Sequence, residues 1–462
     1  MNYIGTRGFV GEKSFAGALL DGLAPDGGLY VPASWPTPDF DLHAAAQGDY
    51  GVLTAKLLNL FGVGVLGDEA VKLAAERTKA AFLREGQIPM TQLDDGLWLL
   101  ELWHGPTLAF KDMAMQMMAP LTDAALAQTN QTLTLVTATS GDTGAAAVRA
   151  FAGSERVRLV VFHPLGRVSP VQRLQMTTVE ADNVLNVGVA GDFDDCQRMV
   201  KQLLGNAALK QRGLISSVNS INWGRLLGQV PYYLAAAAAS GARHPEFVVP
   251  TGNFGDAFAG WVARRTGGNI GHLHAAVNSN DALAEVINDG RYVRRPAVET
   301  ASVSMDVQAP SNFERLVFEA SGRDAATTKA FFDTYAAIGA ADVSPDLQYA
   351  LRAEVTASSI DETKTAEAIR HAWDAYGQVI CPHTAVALAA ALERRSAQKN
   401  NSAQIVLATA HPAKFPDFVA GALGFAPKVP EAIQVLYGRK ETIREIANDD
   451  AMALKTVSEF TA

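Results

Sequence analysis

The sequence predicts an α/β protein with open, mainly parallel sheets covered by helices, and a helical cap at its N-terminus. Three observations carry that reading. From Leu99 onward, short β-rich runs alternate with helical stretches. Most of these runs are continuously apolar, as a parallel strand buried on both faces reads, and do not alternate as a half-exposed strand would. Residues 1–95 instead show helical apolar spacing from Tyr50 to Leu83, with turn residues at Ala24-Pro25-Asp26-Gly27-Gly28 and from Pro32 to Pro38.

Candidate strands are Leu133 to Ala138, Leu159 to Phe162, Val184 to Val189, Ile215 to Val218, Phe247 to Val249, Leu273 to Val277 and Ile405 to Ala408. The Ala-rich run Ala235 to Ala239 suits a helix. In open α/β sheets ligands sit beyond the carboxyl ends of strands, so the segments that follow these runs are where site residues are expected. At 462 residues the chain exceeds what one core usually fills. Three regions are expected: a cap at 1–95, a first α/β region at 96–240 and a second at 241–462.

A formal net charge of -9 argues against nucleic acid or an anionic membrane as partner, because both reward clustered Lys and Arg. The N-terminus has no basic segment followed by an apolar core. The run from Leu226 to Ala239 is too short and too interrupted, by Gly228, Gln229 and Pro231, to span a bilayer. A cytoplasmic protein, monomer or homodimer, is the expectation. Cys196 and Cys381 have no disulfide or metal spacing around them and read as core thiols.

Gly62-Val63-Gly64-Val65-Leu66-Gly67 matches the dinucleotide-binding pattern, with Glu85 near the place of a ribose-binding acid. That motif needs a preceding strand, and Leu53 to Phe61 is helical in spacing. The segment therefore reads as a helix-to-helix connection, with Asp68 capping the next helix.

Four segments carry candidate chemistry. The first runs from Glu101 through His104-Gly105-Pro106-Thr107-Leu108-Ala109-Phe110-Lys111-Asp112-Met113. Lys111 opens an apolar helix with Met113, Met115, Met117 and Met118, where desolvation would lower its pKa and free the amine for Schiff-base chemistry. Burial beside a salt-bridge partner such as Asp112 is an equally good local reading. The second is Thr139-Ser140-Gly141-Asp142-Thr143-Gly144, a small polar turn between strand and helix that suits a carboxylate. As an ordinary βα turn it would have Asp142 or Thr143 as N-cap. The third, Thr251-Gly252-Asn253-Phe254-Gly255-Asp256, combines two glycines with a helix N-terminus and suits a phosphate. The fourth, Thr409-Ala410-His411-Pro412-Ala413-Lys414, ends the last candidate strand. Read locally it is a loop with His411 and Lys414 facing solvent.

These four segments, in this order, resemble the threonine synthase family of fold-type II pyridoxal-phosphate (PLP) enzymes, whose fold is tryptophan synthase beta-like. The similarity extends to Tyr3 to Arg7, to Gly22 through Pro32, and to Asn219-Ser220-Ile221-Asn222-Trp223-Gly224-Arg225, and so spans nearly the whole chain. HGPTLAFKD and GNFGD are specific together, whereas TSGDTG recurs loosely among fold-type II enzymes.

The resemblance implies that the cofactor is pyridoxal 5'-phosphate, with Lys111 as its Schiff-base lysine. It implies that Gly252, Asn253, Phe254, Gly255 and Asp256 hold the cofactor phosphate and that Thr409 faces the pyridine nitrogen. A neutral hydroxyl there does not stabilise a pyridinium, so the ring is a weaker electron sink than one facing a carboxylate. Many relatives have an asparagine beside the ring where this chain has Asp142. The implied substrate is O-phospho-L-homoserine, which with water becomes L-threonine and phosphate. Thr139, Ser140 and Thr143 are then expected at the substrate carboxylate, and Asn219, Ser220, Asn222 and Arg225 at the leaving phosphate; Arg225 reads equally as a helix-surface ion pair. The rival expectations are a fold-type II phospholyase or dehydratase releasing 2-oxobutyrate, and a catalytically silent PLP-binding protein.

Overall fold

The computed structural model describes residues 1–398 and 402–461. Its helices pack around two open sheets. The larger has six strands in the order Val355–Ser359, Leu273–Val277, Glu246–Pro250, Gln404–Ala408, Leu97–Glu101, Met90–Asp94. All its neighbours are parallel except the last pair, an antiparallel hairpin at the edge. The smaller sheet is fully parallel, in the order Arg444–Ala447, Val184–Ala190, Val157–Pro164, Leu133–Ala138, Leu214–Ser216.

Every candidate strand is present to within a few residues. The central ones, Glu246–Pro250, Leu273–Val277 and Gln404–Ala408, are buried at each position, which is why they read as unbroken apolar runs. Of the strands that the sequence does not announce, Leu97–Glu101 is an interior strand of the larger sheet, and the others are edges or short pairs. Val355–Ser359 and Arg444–Ala447 are partly exposed edge strands, and Tyr3–Gly5 pairs with Tyr30–Pro32 over three residues inside the cap. The sheets also exchange strands along the chain: Met90–Asp94 and Leu97–Glu101 complete the larger sheet, and Arg444–Ala447 returns to the smaller one.

The glycine-rich decoy is a short 3-10 turn, Val63–Leu66, between the helices Tyr50–Leu60 and Asp68–Phe82. A helix-to-helix connection is confirmed, but Asp68 is not the cap. Gly67 holds that position, with φ of 95°, and Asp68 lies in the first turn, where its charge faces the helix dipole. Cys196 and Cys381 are both buried and free. No described helix is long and apolar enough to cross a membrane.

The cap is bound to the segment 219–225 by buried polar contacts. The Tyr3 hydroxyl donates to Phe61 O and accepts from Trp223 Nε1, at 2.7 and 3.0 Å. Asn222 Nδ2 donates to Leu19 O at 2.8 Å. Arg315, fully buried over the Trp223 ring, donates from Nε to Tyr30 O at 3.0 Å and from Nη2 to Ile221 O at 2.7 Å. One guanidinium thus joins the cap strand to the loop that leads into Arg225. Arg315→Met should cost about 1–3 kcal/mol, because the buried carbonyls lose their donor. Urea unfolding checks it: an unchanged midpoint would mean that the cap is held by apolar packing alone.

Candidate active site

The four segments converge because each follows the carboxyl end of a parallel strand: Leu97–Glu101, Leu133–Ala138, Glu246–Pro250 and Gln404–Ala408. The lysine loop is zipped onto the segment after Ala408. Leu102 N donates to Ala408 O at 2.8 Å, Phe110 N to Thr409 O at 2.9 Å and His411 N to Leu108 O at 3.1 Å, with an antiparallel bridge between Ala109 and Ala410. Leu108 adopts a left-handed φ of 59°, a strained choice for a side-chain-bearing residue and one that clusters at functional sites.

Lys111 is the first residue of the helix Lys111–Thr129 and is buried. Its partner is not Asp112. Asp112 accepts from Thr107 N at 2.8 Å and Thr107 Oγ1 at 2.7 Å, closing the turn before the helix. A side chain at Gly105 would meet Asp112 at 2.5 Å, so this turn requires glycine there. Lys111 Nζ lies 3.5 Å from Asp142 Oδ2 and 5.0 Å from the Phe110 ring centroid. Burial lowers the Lys111 pKa; Asp142 opposes this, while the charges of Arg225 and Lys414 reinforce it.

Asp142 is neither N-cap nor solvent-facing. Gly141 holds the cap position, at φ of 140°. Asp142 Oδ1 receives Lys414 Nζ at 2.6 Å and Gln172 Nε2 at 2.8 Å. Burial alone would raise its pKa, but Lys414 and Lys111 outweigh burial and hold the carboxyl well below its ordinary range. Lys414, expected in solvent, is fully buried and also donates to Thr107 O at 2.7 Å. His411 is half-buried; its Nδ1 accepts from Ala413 N at 3.1 Å.

Of the residues expected at the substrate, the structure leaves some side chains open and uses others as support. Ser140 and Thr143 are part-exposed, with no side-chain hydrogen bond among the described residues. Thr139 Oγ1 is occupied, accepting from Gly141 N and Gly144 N at 2.9 Å each. Among the described residues the Asn219 side chain receives only a 3.3 Å contact from Thr137 Oγ1, and the Ser220 side chain has no partner. Asn222 is fully used, by Leu19 O and by Gly224 N, as N-cap of Trp223–Leu227. Arg225 is no surface ion pair. It is 3% exposed, donates from Nη1 to Val218 O at 3.0 Å, and has no carboxylate beside it among the described residues. Its Nε is buried without a partner among them, and burial pushes its pKa down to about 10.

The Gly252–Asp256 loop has the shape of an anion cradle. Phe254 is left-handed, at φ of 62°, and caps the helix Gly255–Arg265. A Cβ on Gly252 would collide with Ser304 O. Asn253 is exposed, and its carbonyl accepts from Asn312 N and Nδ2 at 3.1 Å each. Asp256 turns away into the core, where the Tyr232 hydroxyl and the Tyr233 hydroxyl, the latter at 2.8 Å, donate to Oδ1. Burial pushes its pKa up to about 6 against those bonds. The Thr409 hydroxyl has no protein partner among the described residues.

Local sequence missed Lys414, Gln172 and His383. His383 is buried; its Nε2 accepts from Ser304 N at 3.1 Å, while Nδ1 has no partner among the described residues. Burial pushes its pKa down to about 3, so it is a neutral imidazole. The only sequence signal for it was the start of an apolar helix at Pro382.

A desolvated amine, an anion cradle on a helix N-terminus, an unpaired buried guanidinium and an open threonine hydroxyl together fit pyridoxal phosphate. No cluster of metal-ligating side chains occurs among the described residues. Comparison with known proteins agrees. Residues 2–78 match the threonine synthase N-terminus, 81–410 the pyridoxal-phosphate dependent enzyme family, and 384–457 the threonine synthase C-terminal family. A threonine synthase of Pseudomonas aeruginosa is 38% identical, with 99% of this chain and 98% of that protein aligned. The PLP-bound threonine synthase of Brucella melitensis has a TM-score of 0.95 at 40% identity, covering 100% of this chain and 99% of that one. For the yeast threonine synthase the values are 0.91 and 32%, covering 99% and 98%.

Gly252→Ala tests the cradle. The collision with Ser304 O should push the loop outward and weaken PLP binding about tenfold, or about 1.4 kcal/mol. Cofactor fluorescence titration measures it, and an unchanged Kd would detach this loop from the phosphate.

Proposed function

The chain belongs to the threonine synthase family of PLP-dependent lyases, and from that premise we propose that it converts O-phospho-L-homoserine and water to L-threonine and phosphate. The observation that carries the division of labour is Arg225, a buried cation close to a desolvated lysine amine with no acid of its own among the described residues. Burying an unpaired charge is costly, and a phosphate dianion beside Arg225 offsets that cost.

The electron sink for carbanions beside the substrate amino group is supplied by pyridoxal phosphate when it is bound. Gly252, Asn253, Phe254 and Gly255 offer backbone amides to its phosphate, while Asp256 anchors the loop from behind through Tyr232 and Tyr233. The free hydroxyl of Thr409 would face the pyridine nitrogen of the bound cofactor. Ser140, Thr143 and the amides of their turn receive the substrate carboxylate, and Thr139 keeps that turn in shape. Arg225, Asn219 and Ser220 hold the phosphate that leaves Cγ; Asn222 supports them from the cap side. Lys111 takes protons from Cα and Cβ, for which its lowered pKa suits it, and protons return to Cγ, which becomes the methyl group, and to Cα. Water adds at Cβ. The proposal extends to a cytoplasmic monomer or homodimer that acts on a small molecule, with no nucleic-acid or membrane partner.

Purified protein with PLP and O-phospho-L-homoserine should release phosphate and L-threonine in equal amounts. Phosphate with 2-oxobutyrate and no threonine would assign the chain to the dehydratases, and bound cofactor without turnover would make it a silent binder. Lys111→Ala should abolish both the visible absorbance of attached cofactor and turnover; retained absorbance would remove Lys111 from its role. Arg225→Gln should raise KM for the substrate roughly a hundredfold, about 2.7 kcal/mol, with PLP affinity little changed. An unaltered KM would place the leaving phosphate elsewhere.

A further inference from the structure

Lys414 is a fully buried ammonium to which neither the motif reading nor the reaction scheme gives a task. Such a charge persists only when paired and hydrogen-bonded. Its partners are the Thr107 carbonyl at 2.7 Å and Asp142 Oδ1 at 2.6 Å, its one ion pair among the described residues. Asp142 therefore lies between two lysines and does not serve them equally. Oδ1 is bound tightly to Lys414 and Gln172, while Oδ2 lies 3.5 Å from Lys111, beyond normal hydrogen-bond length.

We infer that Lys414 is a positioning residue for the cofactor lysine: by claiming the Asp142 carboxylate it prevents that carboxylate from trapping Lys111 as an ammonium. Without Lys414, the nearest acid to Lys111 would be an uncompensated buried carboxylate. It would close on the amine and keep it protonated. With Lys414 in place, the trio carries two amines and one acid, and the proton that is easiest to lose belongs to the amine held less tightly.

The other charges reaching Lys111 come from three further helices. Arg225, on Trp223–Leu227, repels a second positive charge. Asp256, on Gly255–Arg265, attracts one but is engaged by two tyrosines. His383, on Pro382–Gln398, is neutral. On Lys111's own helix, Asp112 is engaged by Thr107. None of these displaces Asp142 as the acid next to the amine.

The inference rests on Lys111 being the cofactor lysine, and its test is independent of that role. In full-length protein freed of cofactor, reductive methylation of Lys111 across pH, followed by peptide mass spectrometry, gives the midpoint at which the amine becomes reactive. Lys414→Met should move that midpoint up by about one unit, a roughly tenfold loss of free amine at a given pH. Lys414→Arg should restore it, and Asp142→Asn in the Lys414→Met background should cancel the shift. Lys414→Gln, which still donates to Thr107 O without charge, should match Lys414→Met and serves if that variant does not fold. Equal midpoints in wild type and in the uncharged variants, with folding verified by thermal unfolding, would overturn the role of Lys414. Cofactor attachment that survives in Lys111→Ala would instead overturn the reading of Lys111 itself.

Discussion

Keeping a lysine amine out of water is the constraint on which this architecture turns. Desolvation favours the neutral amine, yet the same burial makes every nearby charge count for more than it would at the surface. Asp142, Lys414 and Arg225 must then be fixed relative to Lys111, and they come from three separate elements: the start of the helix Asp142–Phe151, the 3-10 turn Pro412–Lys414 and the short helix Trp223–Leu227. Parallel strands ending side by side supply that fixity. The bridge between Ala109 and Ala410 and the amide bond from Phe110 to Thr409 tie the lysine loop to its neighbour through the backbone, so the geometry does not depend on flexible side chains alone.

The same constraint explains the cap. Arg225 is held where it is because Asn222, Trp223 and Ile221 are each bonded to cap residues or to Arg315, which itself bonds the cap strand. The cap does more than cover the sheets. It fixes the loop that delivers a buried cation, and a cation without an acid is stable only if its surroundings cannot relax around it. On the opposite side, Ser304 O fills the space where a Gly252 side chain would be, and Ser304 N donates to His383. The anion cradle thus has its own support, distinct from that of Arg225.

Central features were legible from sequence because they are local. A strand buried on both faces shows an apolar run, and a βα turn with glycines shows its own letters, so the central strands other than Leu97–Glu101, and all four loops, are legible. Edge strands such as Val355–Ser359 and Arg444–Ala447 were not, because half of each is solvated and the pattern loses its contrast. Read locally, Lys414 is a solvent-facing loop residue and Asp142 a turn cap for a related reason: each is ordinary in its own segment, and only the family resemblance moves Asp142 toward the cofactor. Their pairing arises only when the ends of Leu133–Ala138 and Gln404–Ala408, strands of different sheets, are brought together. Asp112 was the more natural partner for Lys111 by sequence, but a carboxylate one residue further along the helix points to the turn it closes and away from the amine.

An acid beside the cofactor lysine has two opposed effects. It draws a proton onto the amine, which would suit the steps in which Lys111, in its proposed role, donates, and it resists the loss of that proton, which would hinder the steps in which Lys111 accepts. An asparagine in place of Asp142 would remove both effects. This chain keeps the acid and sets a second buried lysine against it, so the negative charge is retained but shared. In the role proposed for it, Thr409 would work in the same direction, since a neutral partner for the ring nitrogen would leave more of the developing charge to be balanced by the protein. With the proposed roles of Lys111 and Thr409, compensated charges close to the amine and a neutral hydroxyl at the ring nitrogen form one consistent electrostatic arrangement, in which proton movement would be controlled at Lys111.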